Sequence, residues 1–263
     1  MDAIRYIVFI FVFLIVNTPI YLQLYRVFLI NKKPITIISL TVLYWFGAIF
    51  TENFIPFIVV ILLLYRYHLH KVNCSEGARE DALGHKVDDG ESYMRDIDVW
   101  RFDRHSVLNV TIATLVVKVL VTIINAIYIN MLSLIVKTEI QPQEVVTDFY
   151  ESGFWPRFVL FFVIVIFAPF VEEYVFRYFL YDKLFLPRMP RGFAAVLSAV
   201  IFTTAHYNLS GIPSFFGLAL FCTYMYEKRG YFAAVTAHMA FNLSTVILLV
   251  FIKMKASSKF DLL

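Results

Sequence analysis

Two adjacent carboxylates and a guanidinium, Glu172, Glu173 and Arg177, interrupt a run from Phe161 to Arg177 that is otherwise almost wholly aliphatic or aromatic. Further on, His206 closes one apolar run, and His238 sits inside another with Asn242 four residues later. An ionisable side chain inside a membrane helix costs at least ~2.5 to 3.5 kcal/mol on insertion scales, so a cluster of them needs a purpose beyond solubility. Glu173 and Arg177 are spaced i, i+4, which puts them on one helical face within salt-bridging reach. Glu172 is turned by about 100° from its neighbour. It cannot easily share that bridge and is freer to face a cavity, so the expectation is a structural Glu173 and a reactive Glu172. His238 and Asn242 share a face by the same spacing. A carboxylate, two imidazoles and a carboxamide at one buried point are a full set for hydrolysing an amide. The carboxylate takes a proton from water, the imidazoles bind a metal or assist proton transfer, and the amide stabilises an oxyanion.

These residues need rigid apolar elements to bring them together. Of the 263 residues 60% are hydrophobic and 16% charged, a balance that no soluble domain of this size could bury in one core. Several apolar stretches reach the ~20 residues that cross a ~30 Å hydrocarbon layer as helix, and they recur along the chain. The expected fold is all-α, a polytopic transmembrane bundle of seven or eight membrane helices. Ile4 to Ile30 reads as a retained helix, being too long for a cleavable signal. Ile35 to Tyr65 reads as one tilted helix or two short ones, interrupted at Thr51-Glu52-Asn53 and Pro56. Residues 66 to 106 mix seven basic with nine acidic side chains and read as a partly ordered aqueous loop. A further span, Val107 to Val136, carries Lys118 and leads to an acidic connector with Glu139, Glu144, Asp148 and Glu151. The last four helices are expected at Phe158 to Tyr181, Phe193 to His206, Ile212 to Tyr226 and Tyr231 to Ile252, antiparallel in succession because their loops are short. The positive-inside rule puts the connectors at 182 to 191 and 227 to 230, and the loop at 66 to 106, in the cytoplasm. Three regions follow: 1 to 150, N-terminal helices with the polar loop; 151 to 252, the catalytic helical core; and 253 to 263, a short polar tail.

Three motifs lie in order on successive helices: Glu172-Glu173-x-x-x-Arg177, Phe202-x-x-x-His206 and His238-x-x-x-Asn242. In this pattern the chain resembles the CAAX-protease and bacteriocin-processing (CPBP, or Abi) intramembrane proteases, the type II CAAX prenyl endopeptidases among them. The resemblance covers roughly residues 155 to 252. It implies an intramembrane endopeptidase of the metallo or glutamate type, in which Glu172 with His206 activates water and His238 with Asn242 stabilises the tetrahedral oxyanion. Glu173, Arg177 and Phe202 are the supporting residues it implies. Family members process prenylated C-termini, peptide pheromones or bacteriocin precursors, or confer bacteriocin immunity. A membrane-associated protein or peptide substrate is therefore implied, and with the short loops a multi-pass protein of a bacterial plasma membrane. Tyr178 departs from the pattern, which often has Gly after the motif Arg.

Glu172, His206 and His238 could supply three ligands with an open fourth position, as catalytic zinc requires, although the H-E-x-x-H signature is absent. Zinc and direct action of Glu and His on water both stay open. Taken alone, Glu173 and Arg177 read as a stabilising buried pair and each histidine as a satisfied core residue; the ordered set favours a site. Two rivals are a non-catalytic scaffold or regulator that keeps the site for stability, and an ion-coupled transporter, for which matching broken helices are lacking. The net charge of +3 lies in short connectors, and no basic stripe suggests a nucleic-acid partner. Cys74 and Cys222 imply no disulfide framework. His68, His70 and His85 read as solvated. Glu52 and Lys118, both intramembrane, are a candidate ion pair. Tyr150, Trp155, Tyr178 and Tyr181 suit an interfacial aromatic belt.

Overall fold

The structure, a computed structural model, describes residues 20–50, 106–135 and 151–260, with positions 13–14, 17–18, 59–60, 62–63, 66–67, 99–100 and 104. Glu52, Cys74, the loop histidines, the acidic connector up to Tyr150 and nearly all of the polar segment lie outside the described residues. The described residues are helical and include no strand. Among the described residues four helices are long and apolar enough to cross a membrane, Ser106–Ile135, Phe154–Phe185, Leu209–Arg229 and Tyr231–Phe251, and three shorter apolar ones are Ile20–Leu29, Pro34–Ile49 and Arg191–Ala205.

The chain divides into two compact units, Met1–Arg101 and Phe102–Leu263. In the first, helices α1 (Ile20–Leu29) and α2 (Pro34–Phe50) meet through polar side chains in an apolar setting. Tyr21 Oη lies 2.6 Å from Thr41 Oγ1, and Tyr44 Oη donates to the Asn17 carbonyl at 3.1 Å. Pro34 opens α2 at a position where its missing N–H is no loss.

The second unit holds α3 (Ser106–Ile135), α4 (Phe154–Phe185), α5 (Arg191–Ala205), α6 (Ile212–Arg229) and α7 (Tyr231–Phe260). Helix α3, expected to belong with the N-terminal region, packs here against α6 and α7. Its approach to α6 is close: a Cβ on Gly217 would meet Val121 Cγ2 at 2.7 Å. At one end Arg229 Nη1 donates to Ser106 Oγ at 2.7 Å, joining the end of α6 to the start of α3. Gly230, at φ 84°, occupies a conformation that an L side chain rarely adopts and turns α6 directly into α7. Helix α7 continues past the expected end of the core to Phe260.

Helix α4 is not a uniform α-helix. It alternates between α (Phe154–Phe162), π (Val163–Phe167), α (Ala168–Glu173) and π (Tyr174–Phe185). Departures of this kind gather at functional sites and require neighbours to satisfy the disturbed backbone. Three neighbouring side chains do so. Asn242 Nδ2 donates to the Ile164 carbonyl at 2.9 Å, Tyr231 Oη to Phe170 O at 2.6 Å and Ser198 Oγ to Phe176 O at 2.8 Å. The short turn carrying Glu172 and Glu173 is thus held from both flanking helices. Two of the aromatics expected at an interface, Tyr178 and Tyr181, are buried within the protein. Tyr178 packs against Tyr174 at 5.1 Å between ring centroids, and Tyr181 Oη donates to Glu227. Spacing alone does not say which face of α4 looks inward, and here that face carries them. Trp155 is exposed.

Candidate active site

Glu172 and Glu173 close the central α turn of α4, and the ~100° between successive residues sends their side chains to different surroundings. Glu173 is fully buried and Glu172 is 26% exposed. Glu173 Oε2 lies 3.0 Å from Arg177 Nε, and Glu173 Oε1 accepts from His238 Nδ1 at 2.7 Å. The guanidinium continues outward: Arg177 Nη2 donates to Ala219 O on α6 at 3.3 Å, and its Cζ stacks 4.6 Å above the Phe202 ring. Removing either partner of such a pair strands a buried charge.

Phe202, fully buried on α5, supports several of these groups with one ring. Its centroid is 4.5 Å from that of His206, 5.8 Å from His238 and 5.1 Å from Phe176. Its carbonyl accepts from His206 Nδ1 at 2.8 Å, and on the other side Phe215 stacks on His206 at 4.2 Å. The rotation of both imidazoles is therefore fixed. A carbonyl and a carboxylate can only accept, so in neutral imidazoles the proton resides on Nδ1 of His206 and of His238, leaving a bare lone pair on each Nε2.

Both Nε2 atoms face Glu172. Glu172 Oε2 is 3.8 Å from His206 Nε2 and 3.7 Å from His238 Nε2, too far for a hydrogen bond, and it has no hydrogen-bond partner among the described residues. Two nitrogen lone pairs facing one carboxylate oxygen repel it unless a proton donor or a cation lies between them. A water suits that position. By donor type so does a divalent metal, since one carboxylate oxygen and two imidazole nitrogens are catalytic zinc ligands, but the three ligand atoms do not all lie within 4.8 Å of one another, and holding zinc would require the two histidines to draw together.

Among the described residues the group whose ligand atoms do lie within 4.8 Å of one another is Glu173, Cys222 and His238, all buried. It suits a cation less well. Glu173 is already engaged by Arg177 and by the Nδ1 proton of His238, and a metal would confront both. Cys222 Sγ points 3.7 Å from Ala234 O and is a free buried thiol.

The structure thus gathers Glu172, Glu173, Arg177, Phe202, His206 and His238, with Asn242 one turn beyond His238 but engaged on Ile164. Residues not anticipated from sequence are Phe215 and Cys222 on α6, together with the Ala219 carbonyl. Their i, i+4, i+7 spacing marks one face of α6 and is the signal that could have singled them out. Lys118 lies on α3 with Nζ 2.7 Å from Thr245 Oγ1 and 3.7 Å from the centre of the Phe241 ring.

Comparison with known proteins agrees with the motif resemblance. Residues 154–244 match the family model described as type II CAAX prenyl endopeptidase Rce1-like, while no curated protein and no solved structure matches the chain. The matched stretch begins with α4 and includes every residue of the three motifs. With its apolar helices, the chain is a membrane protein whose segment 154–244 is similar to the Rce1-like type II CAAX prenyl endopeptidases.

Proposed function

We propose that this protein is an intramembrane endopeptidase that hydrolyses a peptide bond in a membrane-associated protein or peptide, using water activated by Glu172. The observation that carries this reading is the convergence of two anchored imidazole Nε2 atoms on the unpartnered Glu172 Oε2. A water held there loses a proton to Glu172 as its oxygen attacks the scissile carbonyl, with His206 positioning it through Nε2. His238, its ring held by Glu173 at Nδ1, and Asn242, through its second amide hydrogen, stabilise the tetrahedral oxyanion. Glu172 returns its proton to the departing amine. If zinc is resident, Glu172, His206 and His238 hold it, and it supplies Lewis-acid activation of water. For the whole chain we propose seven or eight membrane helices in a bacterial plasma membrane, with CAAX-like, pheromone or bacteriocin-type peptides as substrates.

The test is cleavage of candidate peptides by purified protein in liposomes, comparing wild type with Glu172→Gln and His206→Ala, each with and without chelator. Both variants should remain folded and lose cleavage, and chelator sensitivity decides between metal-bound and directly activated water. A folded wild type that cleaves nothing, with both variants still supporting the cellular phenotype, would instead favour a scaffold. Transport across sealed vesicles that depends on Glu172 would favour the ion-coupled reading.

A further inference from the structure

His206 is the residue at which the chain leaves α5. Its own helix restrains the ring through Phe202, one turn earlier. The second ring against it comes from α6: Phe215, at 4.2 Å between centroids and 28° between planes. The segment that joins His206 to α6 is short and tightly specified. Tyr207 has φ 48°, in the left-handed region that favours glycine, so the surrounding structure must hold it there. The Asn208 side-chain oxygen accepts from Ser210 Oγ and from the Gly211 amide, each at 2.7 Å. Gly211 then stands immediately before α6 as its N-cap.

The backbone does not require a glycine at 211, because φ −98° is open to any L residue. What Gly211 supplies is space. A Cβ there would overlap Phe215 Cε2 and meet Phe215 Cδ2 at 3.0 Å. Helical side chains lean toward the N-terminus and cover the turn four residues back, which carries the Phe215 ring across Gly211. Nor has α6 much room to retreat from α5. Gly217, about 200° round the helix from Phe215, is where Val121 of α3 already approaches the α6 backbone. By contrast, a Cβ on Gly192 of α5 would have nothing within 4 Å.

We propose that Gly211 is a positioning residue of the reactive cluster: its missing side chain is the space in which the Phe215 ring lies while that ring holds the His206 imidazole toward Glu172. This rests on the endopeptidase reading above. Gly211 acts through Phe215, and neither touches the reacting atoms. A methyl group at 211 displaces the Phe215 ring, and the stack on His206 is lost. The imidazole, still hydrogen-bonded to Phe202 O through Nδ1, then swings about that bond and carries Nε2 away from Glu172. Misplacement by about 1 Å can cost a reaction about a hundredfold.

The experiment uses full-length protein in liposomes and a peptide that wild type cleaves. Gly211→Ala and Gly211→Ser should each lower kcat about 10- to 100-fold with KM little changed. Serine is a favoured N-cap and alanine a poor one, so equal losses identify the added Cβ and not the cap. Phe215→Ala should lower kcat to a similar extent, and Gly211→Ala added to it should cost nothing further, because the overlapping ring is gone. Gly192→Ala should behave as wild type. A readout independent of turnover is the His206 ring resonance in protein carrying isotope-labelled histidine, identified among the six histidines by its absence in His206→Gln. Ring current from the stacked Phe215 shifts it upfield, and Gly211→Ala and Phe215→Ala should both release it. Melting temperature and gel filtration establish folding; if Gly211→Ala does not fold, Phe215→Leu, which adds no overlap, replaces it in both readouts. Wild-type cleavage by the folded variant, losses that multiply in the double variant, or an unmoved His206 resonance each overturn the proposal. Wild type that cleaves nothing defeats the endopeptidase reading instead, and the resonance alone then decides whether Gly211 and Phe215 hold His206.

Discussion

The two neighbouring carboxylates of α4 inhabit opposite halves of one site. On the closed half, Glu173 is fully buried and engaged by Arg177 and His238, and the guanidinium is capped by Phe202 and Ala219. On the open half, Glu172 keeps 26% of its side chain exposed and faces two nitrogen lone pairs without a hydrogen bond of its own. A single helical step separates a carboxylate engaged by an ion pair and a hydrogen bond from one whose nearest nitrogens lie beyond hydrogen-bonding distance. The difference teaches that the closed half supplies orientation: Glu173 fixes the His238 ring, and through it the direction of the Nε2 that meets Glu172.

The comparison is broken most severely at Arg177. Arg177→Met leaves the Glu173 carboxylate buried and uncompensated, a loss of about 3 to 5 kcal/mol. The expected outcome is a large fall in melting temperature and in yield of monodisperse protein, read by thermal unfolding in detergent. Next comes Glu172→Gln on the open half. The amide preserves shape without a base, so cleavage should fall by about 10²- to 10⁴-fold while the melting temperature stays at the wild-type value. A variant that unfolds instead would show that Glu172 belongs with the closed half. Glu173→Gln falls between the two. It weakens the orienting contact on His238 Nδ1, for which losses of about 10- to 100-fold in activity or metal affinity are usual, and it should also lower the melting temperature, because Arg177 loses its counter-ion. Activity lost without destabilisation would make Glu173 a reacting group.

Part of this arrangement is legible in the sequence because it depends on local geometry. The i, i+4 spacing puts Glu173 and Arg177 in reach of each other, and the helical turn diverts Glu172. The tandem helices that carry Phe202, His206, His238 and Asn242 follow from apolar length and short loops. What is not legible depends on register between helices. Nothing local indicates that His238 Nδ1 selects Glu173 while its other nitrogen turns to Glu172. The π segments of α4 arise where neighbouring helices satisfy its backbone, through Asn242, Tyr231 and Ser198, all distant in sequence. Tyr178 and Tyr181 have the composition of interfacial aromatics, yet tertiary packing buries them. The partner of Lys118 is likewise tertiary: Thr245 lies on the last helix, and the suggested Glu52 is outside the described residues.

The smallest expected effect belongs to Cys222, and it sharpens the contrast between the halves. Its thiol is near Glu173 and His238 on the closed side, and the three together have the donor types of a metal site. If a metal is held on the open side by Glu172, His206 and His238, Cys222→Ala removes only a small buried side chain. Bound metal, measured on purified protein by elemental analysis, should then be unchanged, as should cleavage. If the metal is instead on the closed side, the same substitution removes its softest ligand, and metal content falls with activity. Glu172→Gln gives the reciprocal result, lowering metal content in the first case and sparing it in the second. The pair of variants assigns the metal to one half of the site without requiring a substrate to be known, since occupancy can be read in the absence of turnover.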